Sequence, residues 1–177
     1  GVLLGGVYAL FALGLSLIFG IMRLVNLAHG DLILLAAYLV LSATTALGLP
    51  LVTASLLVVA AMFVLGFVLQ RLVLERVLGD DILPPLLVTF GLSIVIQNGL
   101  LLGYGADSRR LQAGAFESSS VTLAPGLSVG LAPLTALVTA IAAVALLQLI
   151  FYRTWLGRAF RATADNPAIA QLMGVNE

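Results

Sequence analysis

The residues Asn26, Leu27, Ala28, His29, Gly30 and Asp31 contain the chain's one histidine and one of its eight acidic side chains. They lie between two uncharged stretches, residues 1–22 and 32–70, with Arg23 just before them. In so apolar a setting His29 with Asp31 is a candidate proton relay or ion site, because ionisable groups inside a membrane mark functional sites by default. One His and one Asp without a third ligand make a weak metal site, so no metal is expected here. The plainer alternative, which the sequence favours, is a turn at the cytoplasmic interface. There His29 caps one helix, and Asp31 opens the next with help from the helix dipole.

A second polar group is Thr89, Ser93 and Gln97, spaced at i, i+4 and i+8, with Asn98 beside them. Helical geometry puts the first three on one face. Such a stripe either lines a polar pathway or hydrogen-bonds to neighbouring helices, and both readings stand at this point. No catalytic triad, acid pair or phosphate loop accompanies it, so the chain reads as something other than an enzyme. The absence of lysine excludes a P-loop or Schiff-base lysine. The absence of cysteine excludes disulfides and thiolate chemistry. With zero net charge and no basic patch, nucleic acid is not an expected partner.

These residues must be carried by membrane-spanning elements. Of the 177 residues 62% are hydrophobic and 9% charged, against about 25% charged in soluble domains. Uncharged runs of about 18 residues or more read as transmembrane helices, and continuous rather than alternating hydrophobicity disfavours a β-barrel. The expected fold is all-α, a polytopic transmembrane helical bundle with about five spans: 2–22, 31–47 (somewhat short), 51–70, 84–102 and 131–152. Pro50, Pro84-Pro85 and Pro133 each suit the first turn of a helix. Residues 103–130 read as an outer loop, either an ordered loop or a short amphipathic structure. Small residues in the runs, such as Gly1 with Gly5, Ser16 with Gly20, and Ala36 with Ala37, fit close helix packing.

If all five runs cross, Arg23, Arg71, Arg76, Arg153, Arg158 and Arg161 share one side, and Arg109 with Arg110 the other. The positive-inside rule makes the first side cytoplasmic. This places the Asn26–Asp31 break near the cytoplasmic ends of the first two spans.

The tail, 153–177, reads as a cytoplasmic coupling segment. Asp165 or Asn166 suits an N-cap and Pro167 the first helical turn. Gly174 suits a left-handed C′ position. Between them Ile169, Leu172 and Met173 form a short apolar face that needs a protein partner or the membrane surface.

Three segments then resemble the LivH/LivM family, the permease subunits of bacterial branched-chain amino acid ABC importers, and look closer to LivH. The first is Tyr8-Ala9-Leu10 with Gly14-Leu15-Ser16-Leu17-Ile18-Phe19-Gly20-Ile21-Met22, running into Asn26-Leu27-Ala28-His29-Gly30-Asp31. The second is Thr89-Phe90-Gly91-Leu92-Ser93-Ile94-Val95-Ile96-Gln97-Asn98. The third runs from Gly157-Arg158-Ala159 to Gly174-Val175-Asn176.

The resemblance covers nearly the whole chain. It implies a multi-pass protein of the bacterial inner (plasma) membrane that forms the translocation pathway for branched-chain amino acids or related small polar solutes. Its implied partners are a second, homologous permease, two cytoplasmic ATPases and a periplasmic binding protein. No cofactor is expected in this chain, since ATP and Mg would be bound by the ATPases. The tail would be the coupling helix, with Gly157, Arg158, Arg161, Asn166, Pro167, Ala170 and Gly174 as coupling residues. Asn26, His29, Asp31, Thr89, Ser93, Gln97 and Asn98 would be the pathway or gating candidates. The wider importer pattern Glu-Ala-Ala-x3-Gly reads Ala168-Ile169-Ala170-x3-Gly174 here; the Glu is absent, while the helix-and-glycine shape is kept. Family members continue with further spans, so the chain reads as the N-terminal part of a longer permease. The competing class is an ATP-independent secondary transporter or channel, which more often carries paired intramembrane charges. A membrane scaffold that only anchors partners is a third.

Overall fold

Without water to bond to, each apolar run satisfies its backbone internally and becomes a helix. The computed structural model describes residues 1–177 except 23, 78, 80, 108, 112–118, 125–126, 156 and 158–177. Among the described residues five long helices follow in chain order: α1 Val2–Met22, α2 His29–Thr45, α3 Leu51–Leu72, α4 Leu83–Tyr104 and α5 Leu131–Arg153. A 3-10 turn, Leu74–Arg76, follows α3. Four helices, α1, α3, α4 and α5, are long and apolar enough to cross a membrane, whereas α2 has 17 residues. At 1.5 Å per residue α2 spans about 26 Å, less than a bilayer core of about 30 Å.

Within residues 103–130 the structure holds a short antiparallel hairpin, β1 Ser120–Ala124 and β2 Leu127–Gly130, pairing Ser120 with Gly130 and Val121 with Val129. Among the described residues it is the departure from helix. Hydropathy gave no sign of it because strands this short carry almost no periodic signal.

The chain divides into two compact units. The first holds α1, the hairpin and α5. Strand β2 feeds directly into α5 through Gly130, and Pro133 sits in the helix's first turn. Helix α1 approaches α5 most closely at Gly6, where a Cβ would fall 2.9 Å from Leu137 Cα. That approach uses Gly6; around Gly5 and Gly20, which the spacing singled out, there is open space for a Cβ. Beside the approach lies an open groove of about 430 Å³, lined in part by Gly5, Ala9, Ala140, Ala145 and Gln148.

The second unit, residues 24–113, holds α2, α3 and α4, with α2 packed against both of the others. Gly48, in the left-handed region at φ +63°, lets the chain fold back after α2, and Leu49 N–H donates to the Ala43 carbonyl at 3.2 Å. Pro50 precedes α3, and Pro84-Pro85 occupy the first turn of α4, where Asp81 Oδ1 accepts from Leu83 N–H at 3.1 Å. Ala28, Ile96 and Leu100 form the buried contact between α2 and α4, with Leu32, Leu35 and Leu92 against it.

Candidate functional site

The polar break and the polar stripe meet. Leu27 N–H donates to Thr89 Oγ1 at 3.3 Å. Ser93 Oγ donates to Asp31 Oδ2 at 2.5 Å, and Gln97 Nε2 donates to Asp31 Oδ1 at 3.1 Å. Gln97 Nε2 also donates to Ser93 Oγ at 3.1 Å. The sequence separations of these α2–α4 pairs, and of Ser42 with Tyr104, are 62 or 66 residues. A constant offset, rather than a constant sum of residue numbers, means that α2 and α4 run parallel in register.

Register fixes depth. Asp31 lies in the first turn of α2, yet Ser93 is the eleventh of the 22 residues of α4. At 1.5 Å per residue that is about 15 Å along a helix of spanning length. Helix α2 therefore starts halfway along α4, and its other end reaches Tyr104, the last residue of α4. A turn level with an end of α4 would suit the interfacial expectation; residues 27–31 instead sit level with its middle. No side chain caps α2; its N-cap residue is Ala28. Arginine placement could not reveal this, because it reports which side a loop faces and not how deep the next helix begins.

A non-helical segment at that depth must find substitutes for its helical hydrogen bonds. Asn26 Oδ1 accepts from Ala28 N–H at 3.0 Å, and the Asn26 carbonyl accepts from His29 N–H at 3.2 Å. Thr89 accepts from Leu27 N–H and donates back to the Leu86 carbonyl at 3.1 Å. This double use explains a hydroxyl at 0% exposure; Ala28 beside it is also fully buried, and Asn26 is 8% exposed. Asp31 and His29 are half-buried, while Gln97 is exposed.

Asn98 does not join the cluster: its Nδ2 donates to the Ile94 carbonyl at 2.8 Å, on an exposed face. Of the coupling residues, Gly157 is described and buried, its N–H donating to Thr154 Oγ1 at 3.1 Å. A Cβ there would run into the Phe151 carbonyl. Arg158, Arg161, Asn166, Pro167, Ala170 and Gly174 lie outside the described residues.

Sequence reasoning missed the far end of the same seam. Tyr104 Oη is bonded to Ser42 Oγ and reaches the Tyr38 carbonyl at 3.4 Å, and the Tyr38 and Tyr104 rings lie 4.5 Å apart. Arg109 sits over the Tyr104 ring at 5.8 Å and donates to its carbonyl at 3.0 Å. Nothing in the spacing of Tyr38, Ser42 and Tyr104 by itself pairs them across two helices. Among the described residues no group of acidic or histidine side chains could hold a metal ion.

Apolar helices of spanning length, with a polar seam halfway along one of them, define a multi-pass membrane protein. The model of the family described as branched-chain amino acid transport system / permease component matches residues 1–177, and the chain belongs to that family. It is 28% identical to the high-affinity branched-chain amino acid transport system permease protein BraD of Pseudomonas aeruginosa, over 99% of this chain and 61% of that protein. It is 30% identical to the proteins of the same description named LivH in Salmonella typhimurium and Escherichia coli (strain K12), over 99% of this chain and 60% of each relative. The chain thus spans about three fifths of the length of the curated relatives it matches. No solved structure matches it.

Proposed function

We propose that this chain is part of the permease subunit of an ATP-driven ABC importer for branched-chain amino acids or related small polar solutes, in the bacterial inner membrane. The observation that carries the reading is the family match along all 177 residues. The seam between α2 and α4 adds a physical reason: a helix that begins halfway along its neighbour, held by side-chain hydrogen bonds, is the kind of broken element that transport proteins place beside a pathway.

The permease works with a second permease, two ATPases that bind ATP and Mg, and a periplasmic binding protein. The Arg-bearing tail and the loop after α3 face the cytoplasm, in keeping with the positive-inside rule. ATPase closure pushes the coupling segment around Pro167 and Gly174 and drives alternating access; this chain performs no bond chemistry. The test is reconstitution of the full-length permease with its ATPases and binding protein in proteoliposomes. Leucine uptake that requires ATP and the binding protein is the expected result. Uptake driven by an ion gradient without the ATPases supports the secondary-transporter class instead.

A further inference from the structure

Asp31 has donors on its α4 side and, among the described residues, no ion-pair partner. Ser93 Oγ and Gln97 Nε2 occupy one position on each carboxylate oxygen. Among the described residues the ion pair is Arg71 with Glu75, in an exposed turn, and Asp31 takes no part in it. An ionised carboxylate accepts about four hydrogen bonds, so acceptor positions on Asp31 stay open.

The neighbours add acceptors, not donors. Ser93 gives its single proton to Asp31, so its oxygen must accept from Gln97, as it does at 3.1 Å. Gln97 therefore turns its NH2 group to both neighbours, which leaves its Oε1 accepting from nothing among the described residues. Gln97 is exposed and Asp31 half-buried, so the seam is open on this side. The side-chain donors of Ser93 and Gln97 are already engaged, whereas a group carrying several N–H donors and a positive charge would find a carboxylate and an amide oxygen.

We infer that Asp31, Ser93 and Gln97 form an intramembrane contact for the ammonium group of a small solute moving along the α2–α4 seam. Asp31 supplies the charge, Ser93 and Gln97 hold the carboxylate in place, and Gln97 Oε1 offers a further acceptor. The inference rests on the permease reading and names the part of the solute that is recognised at mid-depth.

Asp31 is the one acidic residue within α1 to α5, so chemical labelling there is unambiguous. The full-length permease in its assembled transporter is treated in nanodiscs with dicyclohexylcarbodiimide, and labelling of Asp31 is followed by mass spectrometry. Leucine and 3-methylbutylamine slow the labelling about tenfold or more, the size of one hydrogen bond to a charged group. 4-Methylpentanoate, which keeps the carbon skeleton and lacks the amine, does not. Absence of amine protection overturns the inference, as does equal protection by 4-methylpentanoate, sodium or potassium.

In the transport assay, with uptake expressed per folded transporter, Asp31→Asn lowers leucine uptake about tenfold or more, and Asp31→Glu restores part of it; unchanged uptake in Asp31→Asn overturns the inference. Amine protection without ATP-driven uptake sinks the importer reading and leaves the ammonium contact standing. ATP-driven uptake with an unprotected Asp31 does the reverse.

Discussion

Ser93 Oγ lies 2.5 Å from Asp31 Oδ2, and this bond ties the first turn of α2 to the midpoint of α4. The same 62-residue offset joins Leu27 to Thr89. A short apolar helix is thereby hung on one of full spanning length. The price of starting α2 inside the hydrocarbon is a stretch of unpaired backbone, and the side chains of Asn26 and Thr89 meet it.

The Ser93–Asp31 bond has a carboxylate at one end, and this sets its size. Ser93→Ala leaves the carboxylate one donor short, costing about 1.5–3 kcal/mol, as for hydrogen bonds to charged groups. In the Asp31→Asn background the same change removes a neutral bond, worth about 0.6 kcal/mol between membrane helices. Unfolding of the four variants in lipid measures the difference. A Ser93→Ala cost equal in both backgrounds contradicts a charged partner.

Thr89 is the other anchor. Thr89→Val keeps the shape at a fully buried position and leaves the part-buried Leu27 N–H without its acceptor, for a cost of about 1 kcal/mol, the low end for a stranded donor. Thr89→Ser keeps the hydroxyl and loses only a methyl group. Thermal unfolding in detergent should rank wild type and Thr89→Ser together, above Thr89→Val. If Val and Ser behave alike, the hydroxyl is not what holds residues 24–28 in place.

The five helices were readable because each is a long uncharged run whose start is marked by proline, as at Pro50, Pro84 and Pro133, or by a polar break. The depth of α2 was not readable. Hydropathy treats Asp31 as the edge of a run, and an edge reads as an interface. Only the pairing of Asp31 with Ser93 separates an acid at the membrane surface from one at mid-depth, and pairing is a property of two helices. The stripe at Thr89, Ser93 and Gln97 was legible as a face, but not what it faced. Tyr38 and Tyr104 escaped notice because aromatic residues at helix ends are ordinary in membrane proteins, and nothing local reports their contact.

Small-residue spacing singles out Gly5 and Gly20, while the structure puts the close approach at Gly6. A Cβ at Gly6 meets Leu137 Cα and Cδ1 at 2.9 Å, and one at Gly20 meets nothing within 4 Å. Gly6→Ala must push α1 away from the α5 backbone, an overpacking that costs about 1–3 kcal/mol. Gly20→Ala is expected to cost nothing. Thermal midpoints of the two variants test this, and equal midpoints remove Gly6 from the α1–α5 contact.

The chain has no cysteine, so single-cysteine variants report accessibility without further changes. A stripe that lined a pathway along its whole length would react evenly at positions 89, 93 and 97. The structure predicts a gradient instead. Thr89 is 0% exposed and Ser93 8%, both turned to α2, whereas Gln97 is exposed. A polar, membrane-impermeant thiol reagent should therefore modify Gln97→Cys rapidly and Thr89→Cys hardly at all. Ser93→Cys lies between them. Leu100→Cys, buried against α2 on the same helix, is the unreactive control. In the assembled transporter, a rate at Gln97→Cys that changes with nucleotide or leucine ties the open side of the seam to the transport cycle. A rate that ignores both leaves α2 and α4 as a static pair.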